Sequence, residues 1–496
     1  MKIKQWAVAA VSAAAAAVMW IYPCSGETTE ATTTTTTAAS NVSTTTTTRP
    51  IMDALQYDII GDEVTIRSFA WLNESVVTIP DTIEGKPVTK IGQYAFQYCF
   101  ADEVILPKTV REIGDYSFMG CEYLQSMTIP RDCESIGFSA FEDCYRLANI
   151  VIPETVSEIG YCAFDSTAFI QQITDDFIIL GDGVLYAYQG DASVTDVTVP
   201  DTAKTISYYA FADQRSIQSI TIPDSVTQIL DGAFDNCAQL GSIHAPATFA
   251  NLQQDALINT KWFQQYPGDF ITLGNILVAY RGNDLEVTVP DTVSIIGHSA
   301  FEGNPYITTV HLPASITEIR KAAFYKCTSL QVVTTADSIV RIDEMAFKFC
   351  RALQFINIGS KLESIGAQAF VACDDLQSLT LPVTVTSVGE KALGYRYDIS
   401  TESFSKAEGF TVYSNAEAVK QYGTDESVAV EIYADEATMT TPQITTTTTT
   451  TLSTARDAGT ITPSKNWLIP VGIGGVLILG AMIAIALNAR RKKAKS

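Results

Sequence analysis

The sequence predicts a β-rich repeat solenoid of about twelve 23-residue units, and three observations carry that prediction. One pattern recurs at a fixed period through the middle of the chain. Each copy places a short strand, a proline and a tight turn at the same offsets. Polar low-complexity segments bracket the array on both sides. The clearest copy reads SITIPDSVTQILDGAFDNC from Ser219 to Cys237, and another, MTIPRDCESIGFSAFEDC, runs from Met127 to Cys144. A single copy cannot bury its own apolar face, so the copies must stack.

The first 26 residues combine Lys2 and Lys4 with an apolar run from Trp6 to Tyr22 and the small residues Ser25 and Gly26, which predicts a cleaved secretory signal peptide over 1–26. Cys24 would suit a lipoprotein anchor, but Pro23 stands where that signal needs a small residue. Residues 27–50 are Thr-rich, with almost nothing to bury, and are expected to form a disordered linker. Tyr57, Ile59, Val64, Ile66 and Phe69 then alternate around Gly61-Asp62, predicting a strand, turn and strand in an N-terminal cap over 51–76.

The repeats fill 77–395. Phe96, Phe118, Phe141 and Phe164 lie 22, 23 and 23 residues apart; Phe211, Phe234 and Leu257 keep 23, as do Phe301, Phe324, Phe347, Phe370 and Leu393. In most units a proline stands eleven residues earlier, and the alternation before it, as in Ile220-Thr221-Ile222, predicts a strand with Ile inward and Thr outward. Val226 and Ile229 bring the chain back across the stack. Gly92, Gly114, Gly137, Gly160, Gly297, Gly366 and Gly389 are expected to release the turn that follows, and the Ala-Phe pair to sit in a tight helical or 3₁₀ turn.

Two stretches, 165–196 and 258–286, interrupt the register. Each contains an aromatic-Gln-Gln segment and a hairpin signal, Phe177–Tyr188 around Gly181-Asp182-Gly183 and Phe270–Tyr280 around Gly274-Asn275. They span close to two periods, so they are expected to remain in the solenoid as variant coils whose hairpins protrude and carry individuality in binding. Beyond Leu393 a strand and short helix over 409–423, then alternating Val428, Val430 and Ile432, predict a C-terminal cap over 396–434. A Thr-rich stalk over 435–466 leads to 21 uncharged residues, 467–487, long enough for one transmembrane helix. The tail over 488–496 holds Arg490, Arg491, Lys492, Lys493 and Lys495, which predicts that it stays inside and the body is displayed outside.

Formal charge is −23; without the seven basic residues at the two ends, 25 basic face 55 acidic residues, a balance of −30. That field repels phosphate backbones and excludes nucleic acid as a partner.

The segments IPDTIEGKPVTKIGQYAFQYC at 79–99, IPDSVTQILDGAFDNC and LPASITEIRKAAFYKC resemble the BspA-type leucine-rich repeat of bacterial surface proteins, related to treponemal leucine-rich repeats. The resemblance covers about 55–433. It implies a leucine-rich-repeat right-handed coil at the cell surface, with some members resembling adhesins. It transfers no binding residue. No LPxTG motif precedes Trp467, which favours the membrane helix over wall attachment as the anchor.

Seven cysteines, Cys99, Cys121, Cys144, Cys237, Cys327, Cys350 and Cys373, follow the repeat Phe by three residues, and this regularity predicts buried free thiols rather than disulfides or zinc ligands. The outward strand position carries Thr128, Thr198, Thr221, His244, Thr288, His311, Thr334, Asn357 and Thr380. With Tyr186, Tyr188 and Tyr280 of the hairpins, these form the candidate binding surface for an extracellular protein or glycan, though Thr also simply suits exposed strands. The acidic pairs Asp175-Asp176 and Asp374-Asp375 lack the turn glycine and alternating ligands of a calcium loop. No phosphate loop, GxSxG or HExxH occurs, so no catalytic, cofactor or metal residue is assigned. The function expected is that of a monomeric, non-enzymatic, membrane-anchored recognition protein or adhesin; the alternatives are a passive envelope element and a surface enzyme.

Overall fold

The computed structural model describes residues 51–70, 74–246, 249, 251–253, 255–335 and 337–432. The segments expected to form a signal peptide, two Thr-rich linkers, a transmembrane helix and a basic tail all fall outside these residues. Among the described residues no helix is long and apolar enough to cross a membrane.

Alternating Ile and Thr give short parallel ladders in strict register. Asp196–Thr198, Ser219–Thr221 and Ser242–His244 pair residue for residue, one coil per strand. The apolar position that returns the chain across the stack makes a second ladder of two-residue strands, such as Thr205–Ile206, Gln228–Ile229 and Asn251–Leu252. The turn edge is a third hydrogen-bonded row. There the repeat Phe amide donates to the carbonyl of the Ala preceding the next repeat Phe: Phe118 to Ala140 at 2.8 Å, Phe211 to Ala233 at 2.8 Å, Phe324 to Ala346 at 2.8 Å. The strands supply few bonds each, and this row completes the pairing of backbone groups that burial would otherwise leave unmet.

Inside, the Phe side chains form a column. Ring centroids lie 5.2 Å apart between Phe96 and Phe118 and between Phe118 and Phe141, and 5.0 Å between Phe324 and Phe347, with planes within 9° of parallel. The cysteines complete this interior. Cys121 donates its thiol to the carbonyl of Phe96, Cys144 to Phe118, Cys237 to Phe211, Cys327 to Phe301, Cys350 to Phe324 and Cys373 to Phe347, at 3.0–3.2 Å. All nine described cysteines are free. A thiol at this place fills a small gap and meets a carbonyl of the preceding coil, which accounts for its recurrence.

The turn at the Phe is not helical. Bonds of the i to i−3 kind occur, as from Cys99 N to Phe96 O, but the residues two before and two after the Phe are left-handed: Tyr94 and Tyr98, Ser139 and Asp143, Ala322 and Lys326. The repeat glycines have a different purpose from the one expected. Gly92, Gly114, Gly137 and Gly160 are absent from the left-handed region; instead a Cβ on Gly92 would stand 2.6 Å from Ile66 O, and one on Gly137 2.5 Å from Asp115 N. They are glycines because the preceding coil's backbone lies against them.

The solenoid has about 14 turns, the twelve regular units and the two variant stretches, which stay in the coil as expected. The N-terminal hairpin, Leu55–Ile60 against Glu63–Phe69, feeds its second strand into the parallel ladder beside Lys86–Ile91. Phe177–Leu180 with Val184–Tyr188, and Phe270–Leu273 with Ile276–Tyr280, repeat that arrangement. The hairpins therefore do not protrude with their tyrosines. Tyr188 stacks 5.1 Å from Phe211 and Tyr280 lies 5.3 Å from Phe301, both in the column, while Tyr186 meets Phe164 edge-on. Ahead of each hairpin, a short helix, Ala168–Gln172 or Lys261–Gln264, replaces the outward strand and is capped by the side chain of Thr167 or Thr260.

At the far end Thr411–Tyr413 and Ala429–Glu431 extend the outward ladder beyond Ser378–Thr380, with the helix Glu417–Asp425 between them. A hairpin that the polar sequence does not reveal, Tyr395–Asp398 with Ser403–Lys406, packs Tyr397 and Phe404 around Phe349 and Lys348.

Candidate functional site

The outward strand positions do not make one continuous Thr face. The two short helices divide the ladder, so Thr198, Thr221 and His244 form one row and Thr288, His311 and Thr334 another. Thr128 faces Val151, and Thr380 faces Tyr413. Asn357 lies just past its strand and donates to Thr335 O at 3.4 Å. Within the second row the His311 imidazole joins Thr334 Oγ1 and Glu286 Oε1, each at 2.7 Å, so its polar atoms are already engaged. Tyr186, Tyr188 and Tyr280 are 7%, 3% and 7% exposed and offer no ring face to solvent. They were expected on protruding hairpins; Tyr188 and Tyr280 instead stand in the aromatic column, and Tyr186 packs edge-on against Phe164 with its hydroxyl bonded to Asp165.

A different surface concentrates recognition chemistry, and it arises from the first variant coil. In a regular coil five residues lead from the returning strand to the column, as from Ile206 to Phe211; in the variant coil three suffice, from Leu185 to Tyr188. The variant coil cuts the corner and leaves a notch in the turn edge. Side chains from the flanking coils lean into the notch and meet across it: Phe138 with Tyr208 at 5.2 Å between centroids, Tyr161 with Tyr209 at 4.6 Å. Ser207 also reaches over the variant coil to donate to Ile159 O at 3.3 Å.

The notch opens into a trench of about 440 Å³ that runs across several coils. Its floor passes over Gly114, Gly137 and Gly160, which carry no side chain, where other coils have Leu230 or Gln253. One wall is a register row from the two-residue strands, Lys90, Glu112, Ser135 and Glu158. Lys90 Nζ pairs with Glu112 Oε1 at 2.5 Å, leaving the carboxylates in excess. Beyond the notch the row continues as Thr205, Gln228 and Asn251, linked by Gln228 Nε2 to Thr205 Oγ1 at 2.9 Å and Asn251 Nδ2 to Gln228 Oε1 at 3.3 Å. The aromatic side holds Phe138 and Tyr208; Asp115 Oδ1 accepts from the Phe138 amide at 2.8 Å and fixes that corner. Burial, then the carboxylates of Asp231 and Glu158, push the Tyr208 hydroxyl above its ordinary pKa, so it stays a neutral donor.

More rings follow the same edge. Tyr94 and Tyr116 stack at 5.0 Å and 9°, and Tyr94, Phe138, Tyr161 and Tyr209 are each between 38% and 48% exposed. The legible signal was an aromatic two or three residues before the repeat Phe in successive units, together with the shortened spacing in the variant coil. Among the described residues no group of three or more His, Cys, Asp or Glu side chains is placed to hold a metal ion.

The crystal structure of a leucine-rich repeat protein from Bacteroides ovatus is 24% identical, matching 77% of this chain and 98% of that one with a TM-score of 0.27. A leucine rich cell surface protein from Faecalibacterium prausnitzii is 23% identical over 77% of this chain and 94% of its own, TM-score 0.28. A leucine-rich repeat protein from Eubacterium ventriosum is 18% identical over 69% and 92%, TM-score 0.25. No curated protein matches the sequence. The BspA type leucine rich repeat region matches residues 63–178, 185–266 and 279–400, so the chain belongs to the BspA-type leucine-rich repeat family.

Proposed function

We propose that this chain is a membrane-anchored recognition protein of the cell surface, displayed outward and binding an extracellular macromolecule through its solenoid. The signal peptide, the Thr-rich stalk and the apolar segment 467–487 followed by basic residues support the display. The trench carries the binding half of the reading. It combines exposed rings with aligned carboxylate, amide and hydroxyl groups on a scaffold whose backbone is hydrogen-bonded from coil to coil, so little ordering cost accompanies binding.

The adhesin reading is tested by presenting the purified chain to arrays of glycans, matrix proteins and neighbouring cells. Saturable binding above a surface-scrambled variant is expected. Absence of any such binding would leave the passive envelope element as the better account.

A further inference from the structure

We propose that the trench beside Phe138 and Tyr208 binds an uncharged, extended β-linked pyranose polysaccharide. The inference rests on the recognition reading above and names the chemical class of its ligand.

Four features of the site select this class. First, the carboxylates of Glu112, Asp115 and Glu158 outnumber the one lysine, and the exported chain is strongly acidic, so polyanions are repelled. Second, the floor offers one short strand edge, Glu158–Ile159 at the end of its sheet, and the Ile159 carbonyl there already accepts from Ser207 Oγ at 3.3 Å. Glu112–Ile113 is paired on both sides, by Lys90–Ile91 and Ser135–Ile136, and Ser135–Ile136 is likewise enclosed by Glu158–Ile159. A peptide therefore finds only a two-residue edge with one carbonyl already taken, too little backbone pairing to supply the usual affinity for an extended chain.

Third, the groups that remain suit a polyhydroxylated ligand. Glu112 and Glu158 present carboxylate oxygens that accept from neighbouring hydroxyls and Ser135 adds a hydroxyl of its own, while Gln228, bonded to Thr205 and Asn251, and the buried Thr205 brace the row. The rings of Phe138 and Tyr208, which line the trench, supply flat apolar faces against which the C–H faces of equatorially substituted sugars pack. Fourth, the spacing agrees. Successive coils place equivalent groups about 4.8 Å apart, close to the advance per sugar of an extended β-1,4-linked chain, so each coil addresses one sugar. A helical α-linked glucan does not follow a straight row of this kind.

The test is calorimetric titration of the full-length chain with cellohexaose, xylohexaose and mannohexaose, beside maltohexaose, an oligogalacturonate and a Lys-rich peptide. At least one uncharged β-1,4 oligosaccharide is expected to bind, with maltohexaose and the oligogalacturonate far weaker. Phe138→Ala and Tyr208→Ala should each weaken that binding about tenfold, the scale of one lost aromatic contact. Glu158→Gln, an exposed change that leaves packing untouched, should also weaken it, while Thr221→Ala should leave it unchanged. Binding of the Lys-rich peptide alone, or sugar binding insensitive to all three trench substitutions, overturns the proposal. If none of the sugars binds but a matrix protein does, the polysaccharide inference fails while the recognition reading stands; if nothing binds on any array, both fail.

Discussion

The backbone amide of Phe164 donates to the hydroxyl of Tyr186 at 3.1 Å, where every regular coil would offer a backbone carbonyl. The shortened variant coil has no residue at that place, and the phenol supplies the missing acceptor while donating to Asp165 Oδ1 at 2.7 Å. The same substitution recurs at the end of the array, where Tyr422 of the closing helix accepts from Leu393 N and donates to Leu393 O, both at 2.9 Å. Tyr186→Phe and Tyr422→Phe should each cost about 1–3 kcal/mol, because each strands a buried amide. Urea unfolding checks this; a loss below a few tenths would mean water replaces the phenol.

The repeat glycines lead to a second prediction. In Gly137→Ala the new methyl meets Asp115 N at 2.5 Å and the coils must part, so a loss of about 1–3 kcal/mol is expected, typical of overpacking. If glycine served only to permit a turn, alanine at this φ would be neutral or stabilising instead.

The interior thiols should be chemically silent. Burial pushes Cys133, Cys237 and Cys327 up to about 12 and holds Cys350 well above the ordinary thiol range. Iodoacetamide at pH 8 should leave these residues unmodified in the native protein and label them once it is unfolded. Mass spectrometry of the native sample distinguishes this from rapid labelling.

A pH dependence resides at the turn edge near the trench. Burial raises the Glu142 carboxyl above its ordinary 4.5; a hydrogen bond from Ser139 offsets part of this, and the neighbouring Asp143 and Asp165 add smaller upward pushes. The folded state thus holds the proton more tightly, and this group's contribution to stability falls as pH rises from 4.5 through the raised value. Glu142→Gln should therefore raise the melting temperature at pH 7 and change it little at pH 4. A variant less stable at pH 7 would show that the carboxylate is supported by bonds outside this account.

Much of the fold was legible because stacking imposes periodicity. Phe at 23-residue spacing, the inward Ile and the Cys three places on all belong to columns of identical neighbours. What spacing left open was anything set by the breaks. Tyr186, Tyr188 and Tyr280 read as surface groups because a hairpin usually projects; here the hairpin's second strand is itself a rung, which turns them inward. The outward threonines were placed on strands as expected, but the helix caps at Thr167 and Thr260, which split their row, have no periodic signature. The trench was missed for the same reason: Phe138 and Tyr208 are 70 residues apart and meet only because one of the two coils between them is short.

The most direct test of the binding surface is hydrogen–deuterium exchange of the full-length chain with and without saturating cellohexaose. Peptides covering 112–115, 135–138, 157–160 and 205–209 should slow, while those covering 196–198, 219–221 and 242–244 stay unchanged. Slowing confined to the Thr and His rows, with the trench unaffected, would contradict the account.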